Sequence, residues 1–226
     1  MSGAAPVLII LILVFIIVAA VHAHKKAEER RAALKAFAAQ RGWEFDAMKN
    51  RNIRHQFEGV RLFNRGSDRY GENALYGTHE GRQALMFDYH YETESGSGKN
   101  RRTQHHWYGV VALSSSFLLK PMEIRPEGLW DKLTSAFGWD DIDFESAEFS
   151  RRYHVSGPDR RWAYDVITPR TMELLLGREK VTLSMTSTHI VFSKSGRMGT
   201  ESMVDALGLC AAVLDGIPEF ARESIT

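Results

Sequence analysis

Ala5 to Ala23, APVLIILILVFIIVAAVHA, contains no Asp, Glu, Lys or Arg, and its middle is unbroken Val, Leu, Ile and Phe. At 1.5 Å per residue a helix of this length reaches about 28 Å, close to the thickness of a bilayer's hydrocarbon core. The stretch reads as a single membrane-spanning helix, an uncleaved signal-anchor that fixes where the remaining chain works. A cleaved signal peptide is a second reading, with Val21 and Ala23 at the small-residue positions, but the leading MSGAAP has no Lys or Arg. A core helix is a third, although such helices are rarely apolar on every side.

The flanks give the span a direction. Lys25, Lys26, Arg30, Arg31 and Lys35 follow it closely, whereas only the α-amino group precedes it. Lys and Arg stay on the cytoplasmic side of a membrane, and Glu28 and Glu29 count for little in that rule. Residues 25–226 are therefore expected in the cytoplasm, with a periplasmic placement as the alternative. The same five basic residues are candidates for contact with anionic headgroups.

About two hundred residues follow the span, enough for one domain with a sizeable core. The chain is 44% hydrophobic and 25% charged, an ordinary globular balance. Its net charge of +1 hides an uneven spread. Lys25–Tyr70 holds twelve Lys/Arg against six Asp/Glu, and Pro121–Ser150 two against eight. The near-neutral total argues against nucleic acid as a partner. The single cysteine, Cys210, excludes an internal disulfide and falls in a helical apolar pattern, so a buried thiol is expected rather than a nucleophile.

Three segments follow from these signals: 1–24 with the span at 5–23, a basic helical stalk at 25–42 that packs at its far end, and one domain at 43–226. His24–Gln40 is rich in helix formers and Gly42 is a natural stop. Asn64–Asn73 reads as a loop, and Ala74–Thr78, Gln83–Glu92 and Thr103–Leu113 as strands, with a turn at Gly81. In the second strand Leu85, Phe87, Tyr89 and Tyr91 form the expected core face. Helices are expected at Leu129–Phe137, Thr168–Leu176 and Glu201–Asp215, an acidic loop at Asp140–Asp141, a mixed stretch ending in strand at Phe144–Val155, and a hairpin from Val181–Met185 and His189–Phe192. Hairpins with helices between and after them give an α+β class with a mostly antiparallel sheet.

No linear motif supplies a complete chemistry. Ser95-Gly96-Ser97-Gly98-Lys99-Asn100 lacks the first Gly and the final Ser/Thr of a phosphate loop and precedes a strand. His79-Glu80 begins like a zinc-protease motif, but Gln83 stands at the second His and Gly81 breaks the helix. His79, His90, His105 and His106 are close in sequence, yet His105 and His106 point to opposite sides of a strand. No metal site and no cofactor are therefore expected. The acidic run at Asp140–Glu145 fails the spacing of a calcium loop, and no nucleophile elbow occurs. Trp107, Tyr108, Trp130, Trp139, Trp162 and Tyr164 suit either a core edge or a groove for peptide or lipid.

One pattern is familiar. Phe144, Phe149, Tyr153 and Val155, followed by Asp159, Ala163 and Val166-Ile167-Thr168-Pro169, resemble a signature of uncharacterised bacterial membrane-anchored proteins. Asn73–Gly77, Phe87–Tyr91 and Gln104 resemble the upstream part of the same pattern, and Trp162 departs from it. The resemblance implies a strand, an Asp turn and a Thr-Pro-capped helix, and implies no catalytic or binding residue. The leading expectation is a membrane-tethered, non-enzymatic domain that binds a partner protein or the membrane surface. The alternative is a membrane-tethered hydrolase with Asp88, His90 and His106 as its first candidate residues.

Overall fold

The computed structural model describes residues 4–96, 100–128 and 142–223. The expected helix at Leu129–Phe137 and the acidic pair Asp140-Asp141 lie outside these residues, as do Trp130, Trp139 and the centre of the glycine-rich loop at 97–99. The chain opens with one unbroken helix, α1 (Ala4–Arg41), whose first half is long and apolar enough to cross a membrane, with a mean hydropathy of 2.9 and no burial. It ends where Gly42 takes φ +66°. The Trp43 N–H then donates to the Ala38 carbonyl (2.9 Å) and the Gly42 N–H to that of Ala39 (3.3 Å), the paired bonds of a glycine-terminated helix.

Among the described residues eight strands form one antiparallel sheet: β1 (Glu44–Asp46), β2 (Ser67–His79), β3 (Arg82–Ser95), β4 (Arg102–Ser114), β5 (Met122–Pro126), β6 (Tyr153–Ser156), β7 (Thr182–Met185) and β8 (His189–Ser195). Their spatial order is β1-β2-β3-β4-β8-β7-β5-β6. Among the described residues five further α-helices follow α1: α2 (Ala147–Arg152), α3 (Arg160–Val166), α4 (Pro169–Leu176), α5 (Thr200–Asp215) and α6 (Glu219–Glu223). The α+β class with a mostly antiparallel sheet is thus the observed one.

Local chemistry explains many of the boundaries. Glu80 and Gly81 both have positive φ (51° and 76°), and they join His79 to Arg82 as a two-residue turn whose twist suits a hairpin. Asp159 and Thr168 cap α3 and α4 by accepting from the backbone N–H groups of Trp162 and Thr171. The familiar Phe144–Pro169 pattern is therefore built of caps and core: Phe149, Tyr153, Val155, Ala163, Val166 and Ile167 are buried, and Trp162 is buried with them.

One expectation needs correcting. β2 begins at Ser67, inside the stretch read as a loop, because Asp68 and Asn73 adopt left-handed conformations that kink the strand without ending it. Two 3-10 turns, Ile53–Phe57 and Arg61–Asn64, precede it. The expected core face of β3 is core, and its other face is buried as well. Leu85, Phe87, Tyr89 and Tyr91 pack under the 3-10 turns with Ile53, Phe57 and Phe63. Ala84 and Met86, on the opposite face, join Leu34 and Ala38 of α1 and the apolar side of α5. Burying Leu34 alone stabilises this docking by about 2 kcal/mol.

Two contacts set the course of α1 across the sheet. At its C-terminal end Trp43 lies against Gly77, the β2 partner of Ala84. Further towards the membrane span, Arg30 meets Asp88. α1 therefore runs antiparallel to β3, and β3 continues beyond Asp88 in the direction of the bilayer.

Candidate functional site

Polar residues gather where α1 leaves the sheet. Alternation along β3 puts Asp88, His90 and Glu92 on the α1 side, and the register sets them opposite Gly109, Trp107 and His105 of β4. On the other flank, Glu72 pairs with Asp88 and Tyr70 with His90. A register shift after Glu72, where Asn73 has φ 54°, lets both Glu72 and Asn73 reach the same cluster.

Asp88 is the centre of the first group, with its side chain fully buried. Arg30 grips it as a fork, Nη2 donating to Oδ1 at 2.7 Å and Nε to Oδ2 at 3.1 Å. The Asn73 amide donates to Oδ2 at 3.0 Å, and Arg197 Nε stands 3.7 Å away. Arg197 in turn donates to Glu72 Oε1 at 2.7 Å and lies 3.8 Å over the Trp107 ring. Two guanidinium groups thus balance two carboxylates, the arrangement a buried acid requires. Gly109, opposite Asp88, leaves room for Met198: a Cβ there would stand 2.5 Å from that side chain.

The second group lies further along β3. His90 packs against both Tyr70 and Trp107, each ring centroid 4.6 Å away and each ring tilted to its own. Its Nδ1 faces the Asp68 carbonyl at 3.2 Å, which can only accept, so Nδ1 carries the hydrogen and Nε2 is left with a lone pair. That Nε2 is 3.2 Å from His105 Nδ1, and Glu92 Oε1 is 3.1 Å from the same Nδ1. Burial pushes the His90 pKa below its ordinary value, which favours the neutral ring.

The residues singled out in the sequence divide accordingly. Asp88 and His90 share a face, but His106 is on the opposite one, stacked on Tyr91 at 4.7 Å and 2.8 Å from Thr93 Oγ1. The three do not converge. His79 sits at the far end of the hairpin, paired with Arg82. Arg30 is bound to the buried Asp88 and turned away from the membrane-facing basic set, whereas Lys25, Lys26 and Lys35 are exposed and Arg31 is partly exposed, Lys25 and Arg31 pairing only with Glu29 and Glu28 on the same helix. Trp107 and Tyr108 face opposite sides of β4, so they do not line one groove together. Trp162 is core, and Tyr164 donates to the Asp143 carbonyl at 3.1 Å. Cys210 is fully buried and its thiol is pushed up to about 12 by burial.

Sequence reasoning missed Glu72, Asn73, Glu92, Arg197 and the role of His105. It also missed a second buried acid, Glu123, on the far face, whose pKa is raised by burial despite Arg61 at 3.5 Å.

The fold and this cluster define a class: an α+β domain whose sheet is fastened directly to the continuation of an apolar N-terminal helix. No protein-family model and no curated protein matches the chain. Among solved structures it is similar to the crystal structure of the mycobacterial trehalose monomycolate transport factor A, TtfA. The TM-score is 0.61 at 12% sequence identity, over 83% of this chain and 96% of that one. At that identity the likeness is one of fold.

Proposed function

We propose that this chain is a single-pass membrane protein with a cytoplasmic domain that serves as a non-catalytic scaffold, docking a membrane-associated partner protein at a fixed height and orientation. The observation that carries this reading is the Arg30–Asp88 fork, which makes the membrane helix part of the domain rather than a loose tether. A flexible leash suits an enzyme that must search for substrate; a rigid junction suits a module that must present one surface. The basic residues Lys25, Lys26, Arg31 and Lys35 support the cytoplasmic side. The similar TtfA fold, titled a transport factor, supports an accessory role beside a membrane process. The resemblance of Phe144–Pro169 to a pattern of uncharacterised bacterial membrane-anchored proteins fits the same reading. Dispersal of Asp88, His90 and His106 over two faces weakens the hydrolase alternative.

Photocrosslinking of the full-length chain in its native membranes tests the proposal. A photoreactive residue would replace Met48, Leu118, Tyr164 or Phe220 in turn, the exposed large apolar side chains beyond the span. One discrete protein adduct from positions on one side, lost in Arg30→Ala, is expected. Adducts to lipid alone, or to no protein from any position, would overturn it. Reagent accessibility of an added C-terminal cysteine reads out the side of the membrane.

A further inference from the structure

We propose that His90, Glu92 and His105 form a three-ligand site for a divalent transition-metal ion of the zinc class, with a fourth position open to solvent. The ligand atoms, His90 Nε2, a Glu92 carboxylate oxygen and His105 Nδ1, all lie within 4.8 Å of one another. Two of the separations, 3.2 Å and 3.1 Å, match the spacing between neighbouring ligands around tetrahedral zinc, about 3.3 Å for metal–ligand bonds of about 2.0–2.1 Å. An ion can therefore enter with little rearrangement.

Hydrogen bonding favours the same conclusion. With Nδ1 committed to the Asp68 carbonyl, the neutral His90 ring aims a lone pair at the centre of the group. Glu92 aims a second electron-rich atom at the same place, and His105 Nδ1 faces both. A single N–H on His105 cannot satisfy two acceptors equally well, whereas a cation takes a lone pair from all three atoms at once, with the His105 hydrogen then on Nε2. The carbonyl that orients His90 is the kind of outer partner that metal-bound histidines keep.

The frame is rigid and one side is open. His90 and Glu92 alternate onto one face of β3, and His105 is the cross-strand partner of Glu92. Tyr70 and Trp107, themselves in edge contact at 6.0 Å, pack on adjacent sides of the His90 ring. The His105 side chain is 60% exposed, which leaves room for water or another donor at the fourth position. Two imidazoles and one carboxylate suit zinc rather than magnesium or calcium, which prefer all-oxygen sets.

Full-length protein, purified in detergent without a polyhistidine tag and stripped with chelator, would be titrated with Co²⁺ and then Zn²⁺. One equivalent of Co²⁺ should bind with the visible absorption of a four-coordinate ion and be displaced by Zn²⁺. His105→Ala and Glu92→Gln should each weaken binding by more than about tenfold, the scale on which even an outer partner of a metal ligand registers. His55→Ala, at an exposed histidine elsewhere, should leave it unchanged. Because His105 is largely exposed, its loss should not unfold the domain. Binding well below one equivalent, or wild-type affinity in His105→Ala, would overturn the proposal.

Discussion

Arg30 and Asp88 stand 58 residues apart in the chain and meet in a two-bond fork, one side chain on the helix that leaves the membrane and the other on a central strand. Arg30 keeps some exposure whereas Asp88 has none, so the two halves of the pair are not equivalent. Arg30→Ala strands a buried carboxylate with Asn73 and a more distant Arg197. Asp88→Asn removes the charge and leaves Arg30 able to turn to water. Arg30→Ala should therefore lower stability by about 2–4 kcal/mol, with Arg197 limiting the loss, and Asp88→Asn by less. Arg31→Ala, whose exposed partner is Glu28, should change it by under about 0.5 kcal/mol. Thermal melts of the full-length protein in detergent give the ranking, and equal effects at Arg30 and Arg31 would show that the fork contributes nothing.

Two close approaches separate rigid from yielding neighbours. A Cβ on Gly77 would stand 2.1 Å from the Trp43 ring, and one on Gly109 would stand 2.5 Å from Met198. An indole wedged at a helix end cannot bend away, whereas a methionine can change rotamer. Gly77→Ala should destabilise by about 1–3 kcal/mol and raise Trp43 exposure, visible as red-shifted tryptophan emission. Gly109→Ala should have the smaller effect. The reverse order would mean that Trp43 is not held where the fold places it.

Elements ruled by neighbouring residues were readable in the sequence. Thr168-Pro169 start a helix, Gly81 makes a turn and Gly42 stops α1 because each acts through its own backbone. β2 was cut short because Asp68 and Asn73 look like loop formers, and they sit within the strand at positive φ. The second buried face of β3 was hidden because α1 and α5 come from opposite ends of the chain. The His90–Glu92–His105 group was hidden for a narrower reason. Its register pairs Ser95 with Arg102 and Glu92 with His105. A slip of one residue would put His106 opposite Glu92 instead, and nothing in a Gly- and Ser-rich loop excludes that slip.

His189 packs edge-on against Phe57 with ring centroids 5.4 Å apart, and burial pushes its pKa below the ordinary value. The unfolded ring takes up a proton near pH 6.5 and the folded ring only at lower pH. The stability that its neutral form contributes is thus present above the unfolded value and is lost as pH falls through the folded one. Glu123 works in the opposite sense, since a carboxyl raised by burial holds its proton better when folded. The difference between wild type and His189→Gln isolates the histidine. Melting temperature should fall less steeply from pH 7 to pH 5 in the variant, and parallel curves would remove His189 as a source of acid sensitivity.

The antiparallel course of α1 and β3 also points the far ends of β3 and β4 towards the apolar half of α1. From Asp88 to Glu94 the strand extends about 20 Å, whereas Arg30 lies only about 10 Å along the helix from Ala23. The β3–β4 pair has the length to reach the headgroup layer, and Arg101, bound to Glu94, and Arg102 stand at its end. Cys210 is fully buried, so an introduced, exposed cysteine can be labelled selectively. A fluorophore at Arg102→Cys in the full-length protein, reconstituted into anionic liposomes, should be shielded from an aqueous quencher. The same probe at Gln83→Cys, exposed near the opposite end of the sheet, should stay open to it. Replacing Arg101 and Arg102 by Ser should weaken the shielding of a probe at Thr103→Cys, as headgroup attraction is worth about 1 kcal/mol per basic side chain. Equal quenching at 102 and 83 would show that the sheet turns the β3–β4 pair away from the membrane.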